Sequence, residues 1–309
     1  MSDHTSFGTV AVIILTYNEE ANIAQALSSV VAWADEVFVV DSMSTDGTVA
    51  IAKPYGCHVA QHPFEDYSKQ RNYALDTLPI RSEWVFFLDA DEWVPAPLCD
   101  EITWLIARSP VENGFYVRRR VMWMGRWIRR GYYPTWLLRL FRHSMGHCED
   151  RAINEHIVVE GQAGYLENDL IHDDRRGVGS WIAKHNAYAS REALELARTE
   201  GENCYREVDA NLLGAQVQRK RWIRRYVWNR LPPMIRPLGY FFYRYVLRFG
   251  FLDGMAGFTF NFLQALWYPM LIDIKYLEQR RRERPMRSGE TPRVDVSPMQ
   301  AASRHEQTR

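Results

Sequence analysis

The first hundred residues alternate between short apolar runs and segments whose apolar residues recur at helical spacing. TVAVIIL (9–15) is an unbroken β-branched and aliphatic run, which predicts a strand buried on both faces. NEEANIAQALSSVVAW (18–33) has helical periodicity, and EVFVVD (36–41) predicts a second buried strand. STDGTVAIAKPYG (44–56) reads as a helix with Ser44 or Thr45 as its N-cap, Pro54 near its end and Gly56 closing it. CHVAQHP predicts a weaker third strand, SKQRNYALDTL another helix and EWVFFLD a fourth strand. This βαβαβαβ order with short connections implies an α/β fold with a mostly parallel, Rossmann-like sheet and helices on both faces.

From about residue 110 the alternation fails. VENGFYVRRRVMWMG and the stretch to Arg142 predict β-structure with turns, and SWIAKHNAYASREALELA (180–197) predicts an amphipathic helix. Residues 205–248 are basic and aromatic, no residue between Asp253 and Asp273 is charged, and the tail from Pro285 has the composition of a disordered segment. The expected organisation is an α/β unit over 1–200, split at about 110, then a helical region over 201–284 and a disordered tail over 285–309.

In an open parallel sheet, ligands collect at the carboxyl ends of the strands. Polar residues gather at three of them: Thr16-Tyr17-Asn18-Glu19, Asp41-Ser42 and Asp89-Ala90-Asp91. The last belongs to WVFFLDADEW, an apolar strand that runs into Asp89, Asp91 and Glu92. Such a knot of like charge needs water, arginines or a divalent cation. Carboxylates at i and i+2 on a turn suit a hard cation such as Mg²⁺ or Mn²⁺, although most isolated DxD triplets are solvated turns. Haloacid-dehalogenase phosphatases carry DxD on their first strand; here it ends the fourth. Neither GxGxxG nor GxxxxGK[ST] occurs, which removes the dinucleotide fingerprint and the P-loop. His172, in LIHDD before Asp173 and Asp174, follows an apolar run and is a further candidate metal ligand.

Taken in order, VAVIILTYNEEANI, VVDSMSTDGT, SKQRNYAL and FFLDADE resemble the N-terminal half of a family 2 glycosyltransferase of the GT-A fold. PTWLLRLFR, INEHIVVEG and WIAKHNAYASREA resemble the bacterial subgroup that builds lipopolysaccharide core, capsule and exopolysaccharide. The resemblance spans roughly residues 8 to 200. It implies Thr16, Asn18 and Glu19 near the base and ribose, Asp41 on the uracil or ribose, and Lys69, Arg71 and Asn72 near the nucleotide and its phosphates. It places Asp89 and Asp91 at a Mg²⁺ or Mn²⁺ ion, with His172 completing the site. The general base of an inverting transfer is then Glu155 in NEHI, with Asp150 in CEDR as its competitor. Relatives often have Asp before this Glu, where this chain has Asn154. Arg139 is expected to pair with the diphosphate or order the loop, and Glu92 to face the acceptor or an arginine. Two rival readings are a sugar-1-phosphate nucleotidyltransferase, whose glycine-rich basic loop is absent, and an inactive scaffold of the same fold.

Charge and cysteine usage refine this picture. The formal net charge is zero, yet arginines crowd 118–151 and 219–248 and return at 280–287, so anionic partners are expected locally. Cys57, Cys99, Cys148 and Cys204 lack CxxC spacing, which points to a reducing compartment. MSDHTSFG does not have the form of a cleaved signal peptide. Interleaved Arg, Trp, Tyr and Phe over 219–251 suit an anionic membrane surface, and no nucleic-acid-reading motif accompanies them. Residues 254–272 approach the length of a span, but Gly254, Gly257, Asn261, Gln264 and Pro269 favour an interfacial or re-entrant pair, with a buried core helix as the alternative. The expected setting is the cytoplasmic face of a bacterial inner membrane. The expected partners are a nucleotide-sugar donor, a UDP-sugar first, and a lipid-linked or lipopolysaccharide acceptor.

Overall fold

A computed structural model of the chain describes residues 8–149, 156–199, 218–219, 222–223, 226 and 228–283. Strands β1 (Val10–Thr16), β2 (Glu36–Asp41), β3 (His58–Gln61) and β4 (Trp84–Asp89) run parallel in the order β3-β2-β1-β4. The same sheet continues through β8 (Thr135–Arg142), β6 (Gly114–Trp123), β11 (Ala163–His172) and β5 (Glu92–Trp93). There β8 is antiparallel to both β4 and β6, β11 is parallel to β6, and β5 is antiparallel to β11. A short β7 (Arg126–Trp127) folds back on β6, and β9 (Gly146–Cys148) pairs separately with β10 (Ile157–Val159).

The period-two rule explains why the parallel strands read as continuous apolar runs. Val10, Val12 and Ile14 of β1, Val37 and Val39 of β2, and Trp84, Phe86 and Leu88 of β4 share one core. Helices α1 (Ile23–Ser28), α2 (Thr48–Ala52) and α4 (Ala96–Ile106) cover that face. The intervening Ala11, Ile13, Phe38, Val40, Val85 and Phe87 pack on the other face against Ala74 and Leu75 of α3 (Tyr67–Thr77). The N-terminus of α2 differs from expectation. The helix begins at Thr48 with Gly47 as its cap, and the Asp46 carboxylate accepts from Thr48 N at 3.0 Å. Ser44 is recruited elsewhere: its hydroxyl donates to Asp41 and accepts from Asn18 N.

Beyond the sheet, helix α5 (Gly177–Thr199) packs beside the helix Tyr268–Glu283. The latter continues from Gly254–Asn261 through a π-helical turn at Phe262–Trp267. Ala256 and Phe260 enter a small core with Val121, Trp123, Ile128 and Trp181, so the C-terminal helices share apolar packing with the α/β unit. Among the described residues no helix is long and apolar enough to cross a membrane. The expected tail over 285–309 and the segment 201–217 lie outside the described residues.

Asp273, which ends the uncharged stretch, is buried at 1% exposure, and its carboxylate accepts from Arg236 Nε at 3.0 Å and Met234 N at 2.9 Å. Removing one partner of a buried pair strands the other. Asp273→Ala is expected to cost about 3–5 kcal/mol of stability by denaturant titration, and an unchanged midpoint would show that this pair does not hold the helices together.

Candidate active site

A cleft of about 1460 Å³ opens at the carboxyl ends of β1, β2 and β4. Thr16, Asn18, Glu19, Ser42 and Met43 line it from the first two strand ends, Arg71, Asp89 and Asp91 from α3 and the turn after β4, and His156, Trp181, Lys184 and Tyr268 from beyond the parallel strands. Asn18 and Met43, both non-glycine, have φ of 53° and 64°, a left-handed backbone that side chains rarely adopt. Two such residues at adjacent strand ends place local strain beside the cleft.

The acidic turn after β4 is neutralised by two separate sets of cations. Arg139, from β8, donates to Asp89 Oδ2 at 2.6 Å and to both Glu92 oxygens at 2.9 Å. Arg119, from β6, adds a second guanidinium 3.6 Å from Glu92. Against the cost of burial, Arg139 and Arg71 hold the Asp89 carboxyl below its ordinary range. Asp91 belongs to the other set. His172 Nδ1 stands 3.2 Å from Asp91 Oδ1, Lys184 Nζ 3.6 Å and Arg176 Nη2 3.9 Å from Oδ2. Burial opposes ionisation of Asp91, and His172, Lys184 and Arg176 overcome it, holding the carboxyl well below its usual range.

Asp91 and His172 have the geometry of a metal-binding pair. His172 Nδ1 is buried and makes no aligned hydrogen bond, although a carboxylate oxygen is 3.2 Å away. Adjacent ligands of an octahedral ion with bonds of about 2.1 Å lie about 3 Å apart. Among the described residues no third His, Cys, Asp or Glu converges on the pair. Mg²⁺ commonly takes one or two protein ligands and fills its remaining positions with phosphate and water. Asp91 supplies the oxygen donor such a site needs, and His172, once neutral, supplies a nitrogen that suits Mn²⁺ better than Mg²⁺, while Asp89 is turned onto Arg139.

The remaining expected residues fall into distinct places. Asp41 is fully buried; its carboxylate accepts from Ser44 N at 3.0 Å and Gln61 Nε2 at 3.1 Å, so it shapes the Ser42–Ser44 loop from behind. Asn18 Oδ1 accepts from Thr45 N at 2.8 Å and ties the first two strand-end loops together. Arg71 reaches the cleft, with its guanidinium 3.5 Å from Asp89. Lys69 lies on the outer side of α3, paired with Glu65. Asn72 uses both ends of its amide on the Cys148 backbone, at 2.9 Å each. Glu155 and Asp150 lie outside the described residues. Their flanks are anchored: Ser68 Oγ donates to Glu149 O at 2.7 Å, and His156 Nδ1 meets Glu149 Oε1 at 2.9 Å.

Sequence reasoning missed the contributions of Arg176 and Lys184. Arg176 pairs with Glu19 at 2.6 Å and Asp174 at 2.7 Å, joining the loop after β11 to the loop after β1. Lys184 is one helical turn from Tyr188, whose hydroxyl meets that of Tyr67 across the cleft. Burial would lower the Lys184 ammonium, but Asp91 raises it, so it stays charged. Burial and the Asp91 charge push Glu19 up to about 7, against Arg176 and Asn22.

These elements define an α/β protein with a ligand cleft at the ends of its parallel strands. The chain belongs to glycosyl transferase family 2, whose model matches residues 11–168, and it is a glycosyltransferase. It is 30% identical over 196 residues to the lipopolysaccharide core biosynthesis glycosyltransferase LpsC of Rhizobium meliloti, covering 60% of this chain and 70% of that protein. It is also 30% identical over 201 residues to an uncharacterised glycosyltransferase of Rickettsia typhi, covering 61% and 68%. Among solved structures it is similar to glucosyl-3-phosphoglycerate synthase of Mycobacterium tuberculosis in complex with Mn²⁺, UDP and glucosyl-3-phosphoglycerate. That likeness has 24% identity and a TM-score of 0.31, and covers 37% of this chain and 44% of that one.

Two outcomes follow from the electrostatics. Arg139→Met leaves Asp89 and Glu92 without their shared guanidinium and is expected to cost about 3–5 kcal/mol by chemical denaturation. Glu19 has a raised folded-state pKa, so its contribution is fully present below about pH 4.5 and is lost as pH rises through about 7. Measured against Glu19→Gln, the native chain should lose about 1–3 kcal/mol between pH 5 and 8. Parallel stability curves for the two proteins would refute the shift.

Proposed function

We propose that the chain catalyses an inverting, metal-dependent sugar transfer from a nucleotide-diphosphate sugar, a UDP-sugar first. The acceptor is a lipid-linked saccharide or a lipopolysaccharide core sugar, at the cytoplasmic face of a bacterial inner membrane. The observation that carries this reading is the pairing of Asp91 with His172 in a cleft at the strand ends. The likeness to LpsC supports the acceptor class.

In this reading the loops after β1 and β2 seat the nucleoside, with Thr16, Asn18 and Glu19 lining that end and Asp41 fixing the loop behind it. Asp91 and His172 would hold a divalent cation, which would supply Lewis-acid stabilisation of the charge that builds on the departing diphosphate. Arg71 and Lys184 flank the same position and add fixed positive charge there. Glu155 takes the proton from the attacking hydroxyl, with Asp150 as the competing base. The residues that follow them in sequence, His156 and Ile157, line the cleft. Inversion follows from direct attack on the face opposite the leaving group.

Asp91→Asn tests the central assignment. Transfer should be abolished, UDP binding by calorimetry should lose its dependence on Mn²⁺, and the metal-free melting temperature should fall, because His172, Lys184 and Arg176 lose the carboxylate that neutralises them. A fully active Asp91→Asn enzyme would sink the metal assignment. Glu155→Gln should retain UDP binding and slow turnover by about 10²–10⁴. Normal turnover in Glu155→Gln combined with an inactive Asp150→Asn would move the base to the CEDR segment.

A further inference from the structure

One face of the molecule, outside the cleft, is apolar, exposed and ringed by arginines. Leu252 and Met255 are 60% and 70% exposed, and Met124, at the tip of the β6–β7 hairpin, is 66% exposed. Behind them aromatic rings touch in sequence: Phe249 with Phe251 at 6.1 Å, Phe251 with Tyr245 at 6.3 Å, and Tyr245 with Phe258 at 5.7 Å. A contiguous exposed patch of this kind marks an interaction surface.

The patch is rigidly built. Arg130 N donates to Asp253 Oδ2 at 2.8 Å, and Trp123 Nε1 donates to Thr259 Oγ1 at 3.0 Å, fastening the hairpin to the turn and helix behind it. Gly257 packs so closely that a Cβ there would lie 2.3 Å from Gly250 O, which fixes the turn Gly250–Asp253 on the helix Gly254–Asn261. Beside this apolar tip is a second cleft of about 410 Å³, lined by Arg126, Trp127, Arg129, Arg130, Leu252 and Asp253. Arg129 lies over the Trp127 ring at 4.7 Å. Asp253 is the only acidic residue between Arg219 and Ile272, and the Arg130 backbone N–H already engages it.

We infer that this face docks on an anionic lipid bilayer, with Met124, Phe249, Leu252 and Met255 at the acyl boundary and Arg126, Arg129 and Arg130 on headgroup phosphates. The charge pattern selects this occupant. Apolar tips beside arginines and tryptophan match the chemistry of the membrane–water interface. A second copy meeting the same face about a two-fold axis would set arginines against arginines. The docked face is also coupled to the active site. The helix that presents Met255, Phe258 and Phe262 outward lines the active-site cleft with Phe260, Gln264 and Tyr268. The inference gives the membrane location of the proposed function a specific surface, but its test does not depend on transfer activity.

The test is flotation of the full chain on phosphatidylcholine vesicles and on mixed phosphatidylcholine–phosphatidylglycerol vesicles. The native protein should float with the mixed vesicles, less with the neutral ones, and should be released by high salt. L252S/M255S should lose flotation on both. R126Q/R129Q should weaken binding to the mixed vesicles by roughly tenfold or more and leave the neutral ones unaffected. Both variants alter exposed side chains and should keep native melting temperature and UDP binding, which separates lost docking from unfolding or a failed donor site. Native protein that stays at the bottom with anionic vesicles overturns the inference, as do variants that float like it. Release by inorganic phosphate but not by chloride of equal ionic strength would make the arginine cleft a free-phosphate site and overturn it. A vesicle-free dimer that L252S/M255S dissociates would assign the face to a second copy instead.

Discussion

Neutralisation of three carboxylates in four residues after β4 is the constraint on which the rest of the structure depends. Asp89, Asp91 and Glu92 cannot share one site unless cations reach them, and those cations come from distant parts of the chain. Arg139 and Arg119 arrive on β8 and β6; His172 and Lys184 arrive on β11 and α5, and Arg176 on the loop between them. Buried ion pairs contribute little net stability against well-packed apolar groups, and breaking one is costly. Their effect here is positional: the second half of the chain must dock on the first in one register for every charge to find a partner. The cleft is the space left when that register is met.

Much of this was legible in the sequence where a single period governs. β1, β2 and β4 alternate between two cores, so each apolar run could only be a strand covered on both faces. The polar residues at their ends marked the cleft because strand polarity fixes where the ends lie. The acidic run also announced that compensation was needed, though not which cations supply it. Lys184 escaped because a charged residue on an amphipathic helix has no local mark separating a solvated face from a buried ion pair, and Arg176 because a basic residue in a polar loop has none either. Lys69 and Asn72 share a motif with Arg71, which reaches the cleft, but helical rotation turns Lys69 outward and Asn72 onto the β9 backbone, a difference that a linear motif does not carry.

The uncharged stretch 254–272 was hard to read for a different reason. An amphipathic helix is recognised by a period near 3.6, but the π-helical turn at Phe262–Trp267 inserts an extra residue and rotates everything after it. Ala256 and Phe260 before the turn, Ala265 within it and Ile272 after it therefore do not fall on one idealised stripe, although all are buried. The outcome is neither a span nor a wholly buried core helix. One side carries the Trp123–Trp181–Phe260 contacts, and the other leaves Met255, Phe258 and Phe262 exposed.

The balance of charge at the cleft also fits the proposed chemistry. Asp89, Asp91, Glu92 and Asp174 face Arg71, Arg119, Arg139, Arg176 and Lys184, with Glu19 poised near neutrality. A nucleotide-diphosphate sugar paired with a divalent ion brings almost no net charge, so it can enter this balanced site without a large electrostatic penalty. Transfer changes that, because the released diphosphate carries one more negative charge than the donor did. In the proposed reaction the half-buried Lys184 ammonium, 3.6 Å from Asp91, would meet that added charge with a field that burial strengthens. Interactions that strengthen as the bond breaks lower the barrier, whereas those equal for donor and transition state do not. Fixed cations beside the leaving group would therefore favour the transition state over the bound donor.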